Sequence, residues 1–125
     1  MMTTESTINA YFQNMSAMNP QGWQEIFAED ALIFDPVDKP PTKPAEDAEK
    51  FFAVISNFFE TLELSQDNTF ILGNQAAVKW TMKVLAKNGK QAQADGISVF
   101  EINDEGKIQK VCSYWDESKM MGQLR

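Results

Sequence analysis

The chain has 125 residues, 43% of them hydrophobic and 23% charged, with a net charge of −7, one cysteine and no histidine. A chain of this length is expected to form one domain that buries well over half of its unfolded surface without disulfides or metals. The acidic balance and scattered basic residues argue against nucleic acid as a partner, and the lack of histidine removes histidine triads, histidine general bases and nearly every zinc site.

Ile8, Phe12 and Met15 recur at three- and four-residue spacing, with Tyr11 and Met18 on the flank, which predicts a first helix over residues 4–18. The opening MMTTESTINAYF lacks the basic region and continuous apolar core of a secretory signal, and no apolar run is long enough to cross a bilayer. A cytoplasmic protein is expected, and the lone Cys112 fits a reducing compartment. Asn19-Pro20 reads as an N-cap followed by a first-turn proline, opening a short second helix that points Trp23, Ile26 and Phe27 inward and ends near Asp30. Residues 31–36 are predicted as a strand, and the stretch 38–44, which contains Pro40, Pro41 and Pro44, as a loop.

Between them stands Asp35-Pro36-Val37. Proline has a fixed φ and biases the residue before it toward an extended backbone, so the Asp35 carboxylate is aimed by the chain. Among Leu32, Ile33, Phe34 and Val37 it is a candidate proton carrier whose pKa burial would raise. The plainer role for an aspartate here is an Asx-type cap on the following loop.

Pro44 starts a third helix with Glu46 and Asp47 in its first turn, and Ala48, Phe51, Phe52, Ile55, Phe58, Phe59 and Leu62 fall on one stripe. Beyond Leu62 the period changes to two: Val78, Trp80, Met82 and Val84 alternate with Lys79, Thr81 and Lys83. Asn88-Gly89 predicts a two-residue type I′ hairpin into a strand over 91–102. After a turn at residues 103–106, a last strand is expected from Lys107 to about Ser118, with Val111, Ser113 and Trp115 on one side and Cys112, Tyr114 and Asp116 on the other. The glycines form no dinucleotide or phosphate loop, so no cofactor is indicated. Helices followed by a meander of strands make an α+β arrangement.

From Tyr11 through FAEDALIFDPV, the phenylalanine-rich helix and the final DGISVFEINDEGKIQKVCSYWD, the chain resembles the SnoaL-like and ketosteroid-isomerase-like group of the nuclear transport factor 2-like superfamily. The resemblance implies a cone-shaped, cystatin-like fold: three N-terminal helices packed on a strongly curved mixed or antiparallel sheet that encloses a pocket. It also implies a homodimer and a small apolar molecule as ligand. In ketosteroid isomerases the general base is the aspartate of an Asp-Pro-Val motif, which Asp35 matches, and a tyrosine of the first helix, matched by Tyr11, hydrogen-bonds the developing enolate. The third position, a protonated aspartic acid in those enzymes, is Ser98 here, a shorter and less acidic donor that would stabilise an oxyanion less by about 1–3 kcal/mol. Asp95 is the alternative acid, expected by hairpin register to face the side of Met82. The pocket lining is expected to include Phe52, Trp80 and Met82 with Val111, Ser113 and Trp115. The function these residues suggest is cofactor-free proton transfer on an apolar carbonyl compound, by an isomerase or cyclase. A noncatalytic binder, or a dimeric interaction module with a vestigial pocket, is the alternative, although Lys79, Lys83, Lys87 and Lys90 make for a less apolar outer face.

Overall fold

The computed structural model describes residues 3–125. Thr3 caps the first helix, α1 (Thr4–Ala17), by accepting the Ser6 N–H, and Ile8, Tyr11, Phe12 and Met15 form its buried stripe. Asn19 caps α2 (Pro20–Glu25) in the same manner, taking the Gly22 N–H, with Pro20 in the first turn. This helix stops short of the expected Asp30 because the sheet captures the next residues. The Ile26 carbonyl accepts the Ile108 N–H at 2.8 Å, and Phe27 pairs with Ile108. Strand β1 therefore spans Phe27–Phe34 instead of starting at residue 31.

Helix α3 (Pro44–Phe58) begins at the expected proline but ends before its apolar stripe does. Phe59 is already extended and opens β2 (Phe59–Leu72), where Phe59 pairs with Ala86 and Leu62 with Val84. No glycine or proline marks the handover, and Leu62 is buried at a position that either period would bury. Trp23 stacks on Phe51 with ring centres 5.0 Å apart and meets Phe27 and Phe52 edge-on, a cluster that fixes α2 against α3 and β1.

Strands β3 (Gln75–Ala86), β4 (Gln91–Ile102) and β5 (Ile108–Tyr114) complete a five-stranded sheet in the order β1-β5-β4-β3-β2. Its pairings are antiparallel except β1 with β5, which is parallel. Val78, Trp80, Met82 and Val84 are buried, as the alternation predicts. The β3–β4 hairpin differs from the expected type I′ turn. Gly89 has φ 86° while Asn88 stays outside the left-handed region. The Gly89 N–H reaches the Ala86 carbonyl at 3.0 Å and the Ala86 N–H the Lys90 carbonyl at 2.8 Å, a three-residue loop closed by a left-handed glycine.

Strand β5 ends at Tyr114, short of Ser118. Asp116, expected to be a strand residue with a surface charge, instead accepts the Lys119 N–H and caps a fourth helix, α4 (Glu117–Gly122). Six residues are too few to show a helical period, so the sequence pattern conceals this element. On the outer side of the sheet Ile97 and Tyr114 are exposed, and Cys112 is half-buried there, less sheltered than a core thiol. Among the described residues, no helix is long and apolar enough to cross a membrane.

Candidate functional site

Two adjacent rows on the inner face of the sheet build the site. In the first, Ser98 pairs with Ser113 on β5 and with Val78 on β3. The parallel register matches Ile33 with Val111 and Phe34 with Cys112, one residue before Asp35, and just beyond it the Val37 N–H donates to the Ser113 carbonyl at 3.0 Å, which keeps Asp35 close to Ser113. Asp35, Ser113 and Ser98 thus form a polar row. One step along the strands lie Trp115, Gly96 and Trp80. A Cβ on Gly96 would sit 2.6 Å from the Tyr114 carbonyl oxygen, 2.7 Å from Trp115 Cβ and 2.8 Å from the Trp80 ring. The missing side chain lets the two indoles meet edge to face, ring centres 5.9 Å apart.

Each indole donates into the polar row. Trp115 Nε1 gives a hydrogen bond to Asp35 Oδ1 at 2.6 Å, and Trp80 Nε1 gives one to Ser98 Oγ at 2.9 Å. The Ser98 and Ser113 hydroxyls are 2.7 Å apart. In front of these rows lies a cavity of about 510 Å³. Tyr11, Phe51, Ile55 and Leu64 contribute to its walls, and Met120 and Met121 of α4 close one side. Besides Asp35 and Tyr11, the ionisable residues of the lining are Asp47, Lys50 and Glu117, with Glu117 held by a salt bridge to Lys39.

Burial raises the Asp35 pKa, the indole N–H of Trp115 opposes the rise by binding the carboxylate form, and the negative charge of Glu117 adds to it. The Trp115 bond occupies Oδ1, which leaves Oδ2 as the atom able to take a proton. Tyr11 is pinned by edge contacts with Phe12 and Phe100 at 5.2 and 5.0 Å. Burial pushes its phenol well above the usual value, and the Asp35 charge pushes it the same way, so near neutral pH Tyr11 keeps its proton and can donate it in a hydrogen bond.

The structure brings together Asp35, Tyr11, Ser98, Trp80, Met82, Ser113 and Trp115 around this cavity. Three other expected residues lie elsewhere. Asp95 pairs with Thr81 and points to the outer face, with its carboxylate 3.3 Å from Lys79 Nζ and its side chain 70% exposed. The register through Trp80–Gly96 and Met82–Ala94 is regular, so residue 95 must face away from both Met82 and Ser98. Phe52 turns into the Trp23 cluster, leaving the cavity wall to its neighbour Phe51. Val111 is wholly buried in the core. The α4 methionines were missed with their helix, for which the Asp116 cap was the one signal in the sequence.

The model of the SnoaL-like domain matches residues 8–111. The chain belongs to the SnoaL-like domain family. Solved structures share the fold of this SnoaL-like protein over nearly its whole length. A proposed polyketide cyclase from Silicibacter sp. TM1040 is 20% identical with a TM-score of 0.84, covering 98% of this chain and 95% of that one. Another from Xanthomonas campestris pv. campestris is 14% identical with a TM-score of 0.86, covering 98% and 96%. An NTF2-like protein of unknown function from Burkholderia pseudomallei K96243 is 16% identical with a TM-score of 0.83, covering 99% and 98%. The fold is thus NTF2-like, and a search of curated proteins finds no match.

Two outcomes follow from this geometry. Gly96→Ala inserts a methyl where three neighbours are closer than any Cβ tolerates, and should cost about 1–3 kcal/mol in urea denaturation with a change in tryptophan fluorescence. For Asp35 the linkage runs opposite to that of a salt-bridged carboxylate. Its folded pKa lies above the unfolded value of about 4, so its ionisation weakens the fold as pH rises from about 4 through the folded midpoint. Asp35→Asn should therefore be more stable than the parent at pH 7, and the gain should shrink toward pH 4, as read from paired urea curves.

Proposed function

We propose that this SnoaL-like protein binds a small apolar carbonyl compound in the cavity and moves a proton on it without a cofactor, with Asp35 as the base. One observation carries the reading: a carboxylate with one oxygen tied to Trp115 and its pKa raised by burial, in an aromatic cavity that also holds a neutral phenol and two hydroxyls. In the forward step Asp35 Oδ2 takes a proton from the carbon next to the carbonyl, and the electron pair of that C–H bond moves toward the carbonyl oxygen. Tyr11 and the one hydroxyl that the serine pair leaves free donate hydrogen bonds to the resulting oxyanion, and Asp35 then returns the proton to the same or a conjugated carbon. The protein regains its starting charge, so the cycle needs no second substrate. The polyketide cyclase description of two structural neighbours is compatible with enolate chemistry of this kind.

A noncatalytic binder is the second reading. It is favoured by Ser98 and Ser113, which place hydroxyls where a protonated acid would stabilise charge more strongly. The test is deuterium exchange at the α-carbon of 2-tetralone in D2O, followed by proton NMR. Exchange above the buffer rate should fall about 10²- to 10⁴-fold in Asp35→Asn, and in the parent it should rise with pH through a midpoint above the ordinary carboxylate range. Binding without any excess exchange leaves the binder reading.

We further infer a homodimer through the outer face of the sheet. Phe34, Cys112, Val99, Ala77 and Phe70 stand opposite one another across all five strands, and Ile97 and Tyr114 pair beside them. Glu101 faces Lys110, and Lys79 lies 3.3 Å from both Asp67 and Asp95, so charges of both signs flank the apolar row. Sedimentation should give twice the 14.1 kDa chain mass, and Ile97→Lys, at the exposed centre of the face, should shift the protein to the monomer.

A further inference from the structure

The polar row contains a hydroxyl proton with nowhere to go inside the protein. Ser98 and Ser113 are 2% and 1% exposed, and each brings one O–H. An indole N–H can only donate, so in the Trp80–Ser98 bond the serine oxygen is the acceptor. The Ser98–Ser113 contact at 2.7 Å consumes one of the two hydroxyl protons, whichever serine supplies it. The other proton has no acceptor in the protein among the described residues, and both serines line the cavity.

Which serine keeps the free proton follows from the direction of the chain of hydrogen bonds. A hydroxyl that accepts a bond becomes a stronger donor, so the Trp80 N–H favours Ser98 donating onward to Ser113. Ser113 then presents its own O–H to the cavity. It is also the serine nearer the base: its carbonyl accepts the Val37 N–H at 3.0 Å, two residues after Asp35, and its strand β5 is the one that pairs with β1, up to the residue before Asp35.

We propose that Ser113 is the hydrogen-bond donor to the ligand's carbonyl oxygen, and that Trp80 and Ser98 are positioning residues that orient it. The assignment rests on the proposed carbonyl ligand. It moves the donor one strand away from the position at which the sequence resemblance put it, onto the strand that neighbours the base. The substrate it favours holds its carbonyl against β5, with the acidic carbon toward Asp35 and the apolar remainder toward the methionines of α4.

The test uses 2-tetralone as probe in a Tyr11→Phe background, which removes the phenol's contribution. Affinity is read from tryptophan fluorescence, and hydrogen bonding from the infrared carbonyl band of the bound ketone. The band should lie below its position in hexane. Adding Ser113→Ala should return it to the hexane position and weaken binding about 5- to 10-fold, while Ser113→Thr, which restores a hydroxyl, should keep both properties. Adding Ser98→Ala should leave the band displaced and change affinity no more than about threefold. Loss of the displacement with Ser98→Ala and its survival with Ser113→Ala would reverse the assignment, and a band at the hexane position in Tyr11→Phe alone would refute it. If the parent protein binds no 2-tetralone at all, the carbonyl-ligand reading fails first and takes this one with it.

Discussion

The site depends on one contact, the approach of two indoles over a glycine. Trp80 lies on β3 and Trp115 directly follows β5, the two strands that flank β4, and only a residue without a side chain between them allows both rings to lean together. Their N–H groups then point the same way along the sheet, one to a carboxylate and one to a hydroxyl. Bulky apolar side chains thereby orient polar ones, at a depth where water cannot do so. A carboxylate next to aromatic walls is costly to keep ionised, and the single charge-assisted bond from Trp115 offsets part of that cost without abolishing it. The balance leaves a carboxyl of raised pKa, the condition that the proposed proton transfer near neutrality requires.

Much of this arrangement is legible in the sequence because it rests on alternation. The period-two pattern of β3 fixes which residues face inward, and the same logic places Val111, Ser113 and Trp115 on one side of β5. What it cannot supply is depth along the strand. Val111 and Ser113 share a face, yet one lies in the core and the other borders the cavity, because packing against the helices ends between them. Asp95 shows the converse. One residue of uncertainty in register decides whether a charge faces the cavity or the solvent, and only the observed pairing of Trp80 with Gly96 resolves it. The ends of α2 and α3 moved for a related reason: residues at both junctions were claimed by strand partners far away in sequence, information that no local window contains.

The cavity wall combines rigid and yielding parts. Its sheet side is fixed by the hydrogen-bonded rows, and α3 adds aromatic rings held by the Trp23 cluster. The walls also include Met15 of α1, Met82 of β3 and Met120 and Met121 of α4, whose unbranched thioether chains can repack around ligands of different outline. Recognition in such a pocket would be strict about where the oxygen sits and lenient about the hydrocarbon attached to it.

The short α4 has a consequence for kinetics. A helix of six residues has almost no intrinsic stability, and this one is secured by the burial of Met120 and by side-chain bonds from Gln123 to the backbone of Gln93 and from Asn88 to the Leu124 carbonyl. Its amides belong to the part of the molecule that opens at a small fraction of the free energy of global unfolding, and they should exchange with solvent far sooner than those of β3 and β4. The α4 side is thus the most weakly held wall of the cavity, and a guest inside would find its readiest way out wherever that helix frays.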